Sequence, residues 1–318
     1  MKGLVIKSTG TGYIVHFEDG SILDCRVKGN FRIRGIRSTN PVAIGDYVEV
    51  SVGDEATHWI TDVYDRRNYI VRRSTNLSHE SHVLAANLDM AALMVTINHP
   101  KTSTTFIDRF LATCEAYRVP ACLIFNKIDL LDDDEKQQLE SLRALYQSLN
   151  YRTFAISALD KESEEFSSLR ETLSLGVVLL SGNSGVGKST LLNAVLGREA
   201  TRTGIISMAH NKGMHTTTFS EMFPIPTASD ASHTSQPWLI DTPGIKGFGV
   251  LDMQREEVGH YFREIFQIGR ECRYSDCLHI DEPYCAVCEA VKEGRIAFSR
   301  YESYLSMLGD ISETKYRS

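Results

Sequence analysis

The sequence predicts a multidomain α/β protein, and three observations predict it. Short strand-like runs separated by turns fill the first 72 residues. From there to about residue 250, continuous apolar runs alternate with helical periodicity, the pattern of a sheet with helices on its faces. The remaining stretch carries a cysteine cluster and a helical tail. The expected domains are therefore 1–72, 73–250 and 251–318.

Composition bounds the function classes. With 318 residues, 42% hydrophobic and 24% charged, the chain can bury two or three cores. No apolar run is long enough to span a bilayer and no charged-then-apolar leader opens the chain, so a cytoplasmic protein without membrane association is expected. A net charge of −7 supplies no global pull toward nucleic acid, so any such partner must meet a local basic patch. Of the seven cysteines, four crowd into 272–288 while Cys25, Cys114 and Cys122 are scattered. That crowding favours metal over disulfides.

Each element follows from its residues. Leu4-Val5-Ile6, Tyr13 to Phe17, Ile22 to Val27 and Val48-Glu49-Val50 read as short strands, with turns at Glu18-Asp19-Gly20-Ser21 and Ile44-Gly45-Asp46. Several such strands in some 70 residues suggest a small barrel of the oligonucleotide-binding (OB) type. In the central domain, Ala91 to Val95 and Ala121 to Phe125 are apolar throughout, as strands buried on both faces are. Phe106, Phe110, Cys114 and Tyr117 recur at helical spacing, as do Leu139, Leu142, Leu145 and Leu149 behind the acidic run 132–135. The Thr/Ser/Ala-rich stretch from Pro224 to Pro237 reads as a loop between two strands. A helical tail is expected around Ile296 to Leu308.

The chemistry lies in four segments. Gly182-Asn183-Ser184-Gly185-Val186-Gly187-Lys188-Ser189 sits between the strand-like Val177 to Leu180 and a helix starting near Thr190, where a phosphate loop belongs. Its glycines let backbone N–H groups curl around phosphate at a helix N-terminus. Lys188 would reach the β- and γ-phosphates, and the Ser189 hydroxyl would ligate Mg²⁺. Asn126-Lys127-Ile128-Asp129 follows a buried strand; the Asp129 carboxylate can accept from both edge donors of guanine, a pair adenine lacks. Ser157-Ala158 completes the base-reading set. Asp241-Thr242-Pro243-Gly244 would hold Mg²⁺ through Asp241 and sense the γ-phosphate through the Gly244 N–H.

The order of these segments is permuted. An ordinary small GTPase opens with the phosphate loop and closes with the base-reading elements, whereas here the base-reading elements come first. Ile245 also stands where such enzymes carry a water-orienting glutamine. The candidates to supply what is missing lie in Gly213-Met214-His215-Thr216-Thr217-Thr218: a threonine for the Mg²⁺ shell, and His215 either as water-orienting residue or as a plain loop residue.

Cys272-x₄-Cys277-x-His279-x₅-Cys285 offers three thiolates and an imidazole within 14 residues, the ligand set of a closed structural Zn²⁺ site. Cys288, three residues after Cys285, stands as an alternative to His279.

With the motif order, the His215 stretch and the cysteine spacing in view, the chain resembles the RsgA family of bacterial GTPases that depend on the small ribosomal subunit. The resemblance spans essentially the whole chain. It implies an OB barrel, a circularly permuted GTPase domain and a zinc-binding domain. It also implies slow GTP hydrolysis stimulated by the small subunit late in that subunit's maturation, with GTP/GDP, Mg²⁺ and one Zn²⁺ as ligands. By position it maps the zinc ligands onto Cys272, Cys277, His279 and Cys285, the catalytic histidine onto His215 and the switch threonine onto Thr217. The expected partner is the small subunit and its rRNA, met by a monomer. Arginines of the barrel, Arg32, Arg34 and Arg37 in one inter-strand stretch and Arg66, Arg67, Arg72 and Arg73 at its exit strand, are the candidate RNA face. Two other classes stay open: a nucleotide-sensing RNA-binding scaffold, and a permuted GTPase serving another RNA or the large subunit.

Overall fold

A computed structural model describes residues 1–8, 12–27, 41–52, 57–73, 81–198, 220–226, 236–242 and 253–315. His215, Thr217, Gly244, Arg32, Arg34, Arg37 and positions 227–235 of the Thr/Ser/Ala-rich stretch lie outside the described residues, as do the side chains of Arg72 and Arg73.

Strands β1 (Lys2–Ser8), β2 (Tyr13–Phe17), β3 (Ile22–Val27), β4 (Tyr47–Val52) and β5 (His58–Val63) pair in the order β1-β2-β3-β5-β4. Pairing of β4 back onto β1, with Gly3 opposite Val48, closes the barrel. Alternate residues face inward: Val5, Val15, Val48, Val50 and Ile60 form its core. The sequence shows β5 poorly, because His58, Thr61 and Asp62 interrupt its apolar residues. Two further strands, β6 (Tyr69–Arg73) and β7 (Ser81–Ala86), pair with each other, so Arg72 and Arg73 lie on a separate hairpin and not on a barrel strand.

Arg66 does not belong to the expected RNA face. The Arg66 side chain is only 6% exposed; its Nε donates to Oδ1 and its Nη2 to Oδ2 of the fully buried Asp46 carboxylate, each at 2.7 Å. A guanidinium committed in this way is not available to a phosphate. Arg67 is exposed, but pairs with Asp89 at 2.6 Å.

The central sheet comprises β8 (Met90–Val95), β9 (Ala121–Asn126), β10 (Arg152–Ile156), β11 (Val177–Gly182), β12 (Glu221–Pro224) and β13 (Trp238–Asp241). Its order is β10-β9-β8-β11-β13-β12, parallel except for β12. Helices α1 (Thr104–Ala116) and α2 (Asp133–Ser148) cover one face, sharing a core with Leu93, Leu123 and Phe125. Helices α3 (Glu164–Leu173) and α4 (Lys188–Leu196) cover the other, against Met94, Ile124 and Leu180. The start of α2 is set by a capping box between Asp132 and Glu135, which is why the acidic run marks it so clearly in the sequence.

Because β11 lies between β8 and β13, the permuted chain order still brings Asn126, Ser157, the phosphate loop and Asp241 to the carboxyl edge of one sheet. The barrel joins this sheet at β12, through a ladder pair between Lys7 and Glu221, whose side chains also pair at 2.9 Å.

The C-terminal part holds a 3₁₀ segment (Arg255–Tyr261) and helices α5 (Arg263–Gly269), α6 (Ala286–Lys292) and α7 (Phe298–Lys315). Arg300 of α7, 1% exposed, reaches Asp108 of α1 at 2.8 Å and Glu264 of α5 at 2.6 Å, and lies over the Phe262 ring. No helix among the described residues is long and apolar enough to cross a membrane.

Candidate functional site

The phosphate loop leaves β11 and enters α4 in conformations that only glycine takes without strain. Gly182, Gly185 and Gly187 have φ of 149°, 83° and 107°. A Cβ on Gly187 would also collide with the Asn126 amide, and one on Gly182 with the Met94 carbonyl. The spacing of these glycines is thus imposed twice, by backbone conformation and by the neighbouring strands. Lys188 is half-buried, its ammonium donating to the Gly182 and Asn183 carbonyls at 2.8 and 2.9 Å, so it is held at the mouth of the loop. Burial lowers its pKa. Ser184 is exposed, whereas Ser189 and Thr190 on the first turn of α4 are half-buried.

Asn126 binds the other segments to this loop. Its buried side chain donates to the Val186 carbonyl at 2.8 Å and accepts from the Ala158 N–H at 2.9 Å. Lys127, at φ 64°, donates to the carbonyls of His99 and Gly185 at 2.6 and 2.7 Å. Ile128 and Asp129 then form a short 3₁₀ turn, with the Asp129 carboxylate exposed, while Ser157 and Ala158 are buried. The role of the His99 carbonyl has no signal in the sequence, since any residue's carbonyl could serve.

Asp241 ends β13 beside β11. It is 2% exposed, and its Oδ1 has no hydrogen-bond partner. Burial raises its pKa to about 6, while the charge of Lys188 pulls the other way. A buried, unpartnered carboxylate oxygen beside the lysine of a phosphate loop suits a cation or its bound water. Thr242 is anchored by donating to the Leu180 carbonyl at 3.0 Å.

Far from this edge in sequence, the ligand atoms of Cys272, Cys277, His279 and Cys285 all lie within 4.8 Å of one another. The Cys272 and Cys285 sulfurs are each 3.5 Å from His279 Nδ1 and 3.9 Å from one another. Burial lowers the His279 pKa, which favours the neutral ring that a metal needs. Cys288 is engaged otherwise: its N–H donates to the Cys285 sulfur at 3.4 Å, and its thiol lies 3.5 Å from the Ile280 carbonyl and 3.8 Å from the Tyr301 hydroxyl. Three thiols and one imidazole in a closed group are compatible with zinc, and the group that the fold brings together contains His279 and not Cys288. Tyr301 and Tyr304 of α7 secure the loop by donating to the His279 and Leu278 carbonyls at 2.7 and 2.6 Å.

Comparison with known proteins agrees with this geometry. The family model for the RsgA GTPase matches residues 63–251, and that for the RsgA N-terminal domain residues 2–60. A protein of Bacteroides fragilis named small ribosomal subunit biogenesis GTPase RsgA is 56% identical over 318 residues, covering 100% of this chain and 99% of its own. One of the same name from Porphyromonas gingivalis is 52% identical, with the same coverage. Among solved structures, YjeQ from Thermotoga maritima superposes with a TM-score of 0.70 at 31% identity, covering 96% of both chains. YloQ, described as a circularly permuted GTPase, gives 0.70 at 26% identity over 98% of this chain and 95% of its own. The chain is a hydrolase of GTP and belongs to the RsgA GTPase family.

Proposed function

We propose that this GTPase works on the small ribosomal subunit, which stimulates its hydrolysis, and that its nucleotide cycle times its release late in the subunit's maturation. The observation that carries this reading is the nucleotide site reassembled at one sheet edge, in a chain whose full-length relatives are named for small-subunit biogenesis. Asp129 reads the guanine edge, with the Lys127 stem over the base. Lys188 and the loop amides of 182–189 hold the phosphates. Ser189, Asp241 and Thr217 would hold Mg²⁺, which when bound neutralises charge on the β- and γ-phosphates; the unpartnered Asp241 Oδ1 supports that fit. His215 orients the attacking water, a task Ile245 cannot perform. Cys272, Cys277, His279 and Cys285 would hold one Zn²⁺ in a structural role, and the protein contacts rRNA as a monomer.

The test is multiple-turnover phosphate release with and without purified small subunits. Subunits should raise the rate of the parent. Lys188→Ala should lose nucleotide affinity and turnover together. His215→Ala should keep affinity and lose roughly 10²-fold or more in turnover, because it acts on the water and not on the ground state. Equal rates with and without subunits, or equal stimulation by large subunits, would refute the assignment of partner.

A further inference from the structure

A closed tetrahedral metal site uses four ligands, and the group formed by Cys272, Cys277, His279 and Cys285 leaves one thiol of the cluster over. That thiol is Cys288. It stands three residues after Cys285, which is the N-cap of α6, and its backbone N–H donates to the Cys285 sulfur at 3.4 Å. Two cysteines placed across the first turn of a helix are at a spacing that a disulfide can close, the arrangement of Cys-x-x-Cys dithiols. The Cys288 side chain is half-buried, its sulfur 3.5 Å from the Ile280 carbonyl and 3.8 Å from the Tyr301 hydroxyl. No metal bond is needed to explain where it lies.

The other cysteines outside the ligand group are placed differently. Cys25, Cys114 and Cys122 are each 0% exposed, in three separate cores. A small oxidant in solvent can reach Cys288 and cannot reach these three. Resting on the reading that Cys272, Cys277, His279 and Cys285 hold zinc, we propose that Cys285 and Cys288 form a peroxide-oxidisable dithiol whose disulfide dismantles the metal site. A hydroperoxide gives one oxygen to the Cys288 sulfur: the S–O bond forms, the O–O bond breaks, and with hydrogen peroxide water leaves. The Cys285 thiolate, deprotonated as a metal ligand, then attacks that sulfur. The S–S bond forms, the S–O bond breaks, and hydroxide leaves to take a proton from solvent. One peroxide is thereby reduced to two waters, and the two sulfurs together give up two electrons. Cys285 is lost from the ligand set, and the Tyr301 hydroxyl, which lies between the Cys288 sulfur and the His279 carbonyl, passes the change to α7. A dithiol reductant reverses the reaction.

The experiment exposes the full-length, zinc-loaded parent and Cys288→Ser to hydrogen peroxide. Zinc release is followed with a chromogenic chelator, and the cysteines are mapped by mass spectrometry of tryptic peptides. The parent should release its zinc, and peptide 274–292 should become lighter by two hydrogens, its fragments placing the bond between Cys285 and Cys288. Dithiothreitol with added zinc should restore the metal. Cys288→Ser should load zinc like the parent and release it about tenfold more slowly. Cys25, Cys114 and Cys122 should stay reduced. Equal release from both proteins, or a disulfide between other cysteines with Cys288 left reduced, would overturn the proposal and leave the metal reading standing. Failure of Cys288→Ser to load zinc would make Cys288 a ligand and would likewise overturn the proposal. A parent that loads no zinc would refute the metal reading, and the proposal with it.

Discussion

Asn126 serves the fold of the site more directly than it serves the ligand. Its amide joins the Ala158 turn to the Val186 carbonyl, and it lies where any side chain on Gly187 would stand. Replacing it with alanine leaves a buried N–H and a buried carbonyl without partners, at about 1–3 kcal/mol each. Asn126→Ala should therefore lower stability to urea by roughly 2–4 kcal/mol and weaken nucleotide binding as well; unchanged stability would show that water or backbone adjustment takes over its role. Asp241 gives a prediction in pH. Burial raises its pKa from 3.8 to about 6. Between about pH 4 and pH 6 the unfolded chain has released this proton while the folded chain still holds it, so rising pH favours unfolding. The stability of the nucleotide-free parent relative to Asp241→Asn should fall across that window by roughly 3 kcal/mol. Urea denaturation of both proteins from pH 4 to 7 measures it, and a flat or rising difference would contradict the burial argument.

At the scale of elements, α7 connects the cysteine cluster to the nucleotide domain. Its Tyr301 and Tyr304 hold the ligand loop, and its Arg300 holds Asp108 of α1. Tyr146 of α2 also donates to that carboxylate, at 2.9 Å. Arg300→Ala would strand two acidic groups, Asp108 and Glu264, in the interior and should cost about 3–5 kcal/mol. The double variant with Asp108→Ala should cost less than the two single changes added, by about 0.5–3 kcal/mol. Additive losses in denaturation would show that the pair is not coupled. The metal loop makes a second prediction at this scale. Cys285→Ser should lose about one equivalent of zinc and expose α7 to proteolysis, since binding energy in such sites is folding energy. Cys288→Ser should keep the metal, because that thiol is engaged with Ile280 and Tyr301. Zinc content by elemental analysis decides between them.

For the whole molecule, the proposed function requires that nucleotide state be felt at the surfaces that meet the small subunit. Strand β12 emerges from the segment that carries Thr217 and pairs with the barrel through Lys7 and Glu221. A change in that segment therefore has a direct mechanical route to the barrel. Co-sedimentation with small subunits should be stronger with a non-hydrolysable GTP analogue than with GDP, and should weaken as salt rises. Charge reversal at Arg32, Arg34 and Arg37 should weaken association and reduce the slope of its salt dependence by about one for each phosphate no longer neutralised. Arg66 is unsuited to this test, because reversing it would put a like charge beside buried Asp46. Equal binding in both nucleotide states would exclude this coupling.

The sequence by itself determined the features whose chemistry is local. A phosphate loop needs glycines at set offsets before Lys188 and Ser189. The proposed guanine reader needs a carboxylate just beyond a strand, where Asp129 stands. The metal cluster needs thiols and an imidazole within a short loop. Each is a contiguous run whose spacing is imposed by backbone reach, so each was legible, as were the permuted order and the strands and helices with strong periodicity. Only the tertiary structure decided what depends on partners far along the chain. It closed the barrel with β5, whose polar residues hide its period. It buried Arg66 against Asp46 and Arg300 against Asp108, although arginines in a sequence look alike whether they meet solvent, phosphate or a carboxylate. It pinned Lys127 on a carbonyl that carries no residue identity. The reason is the same in each case: burial and pairing are properties of two segments brought together, and neither segment alone encodes the other.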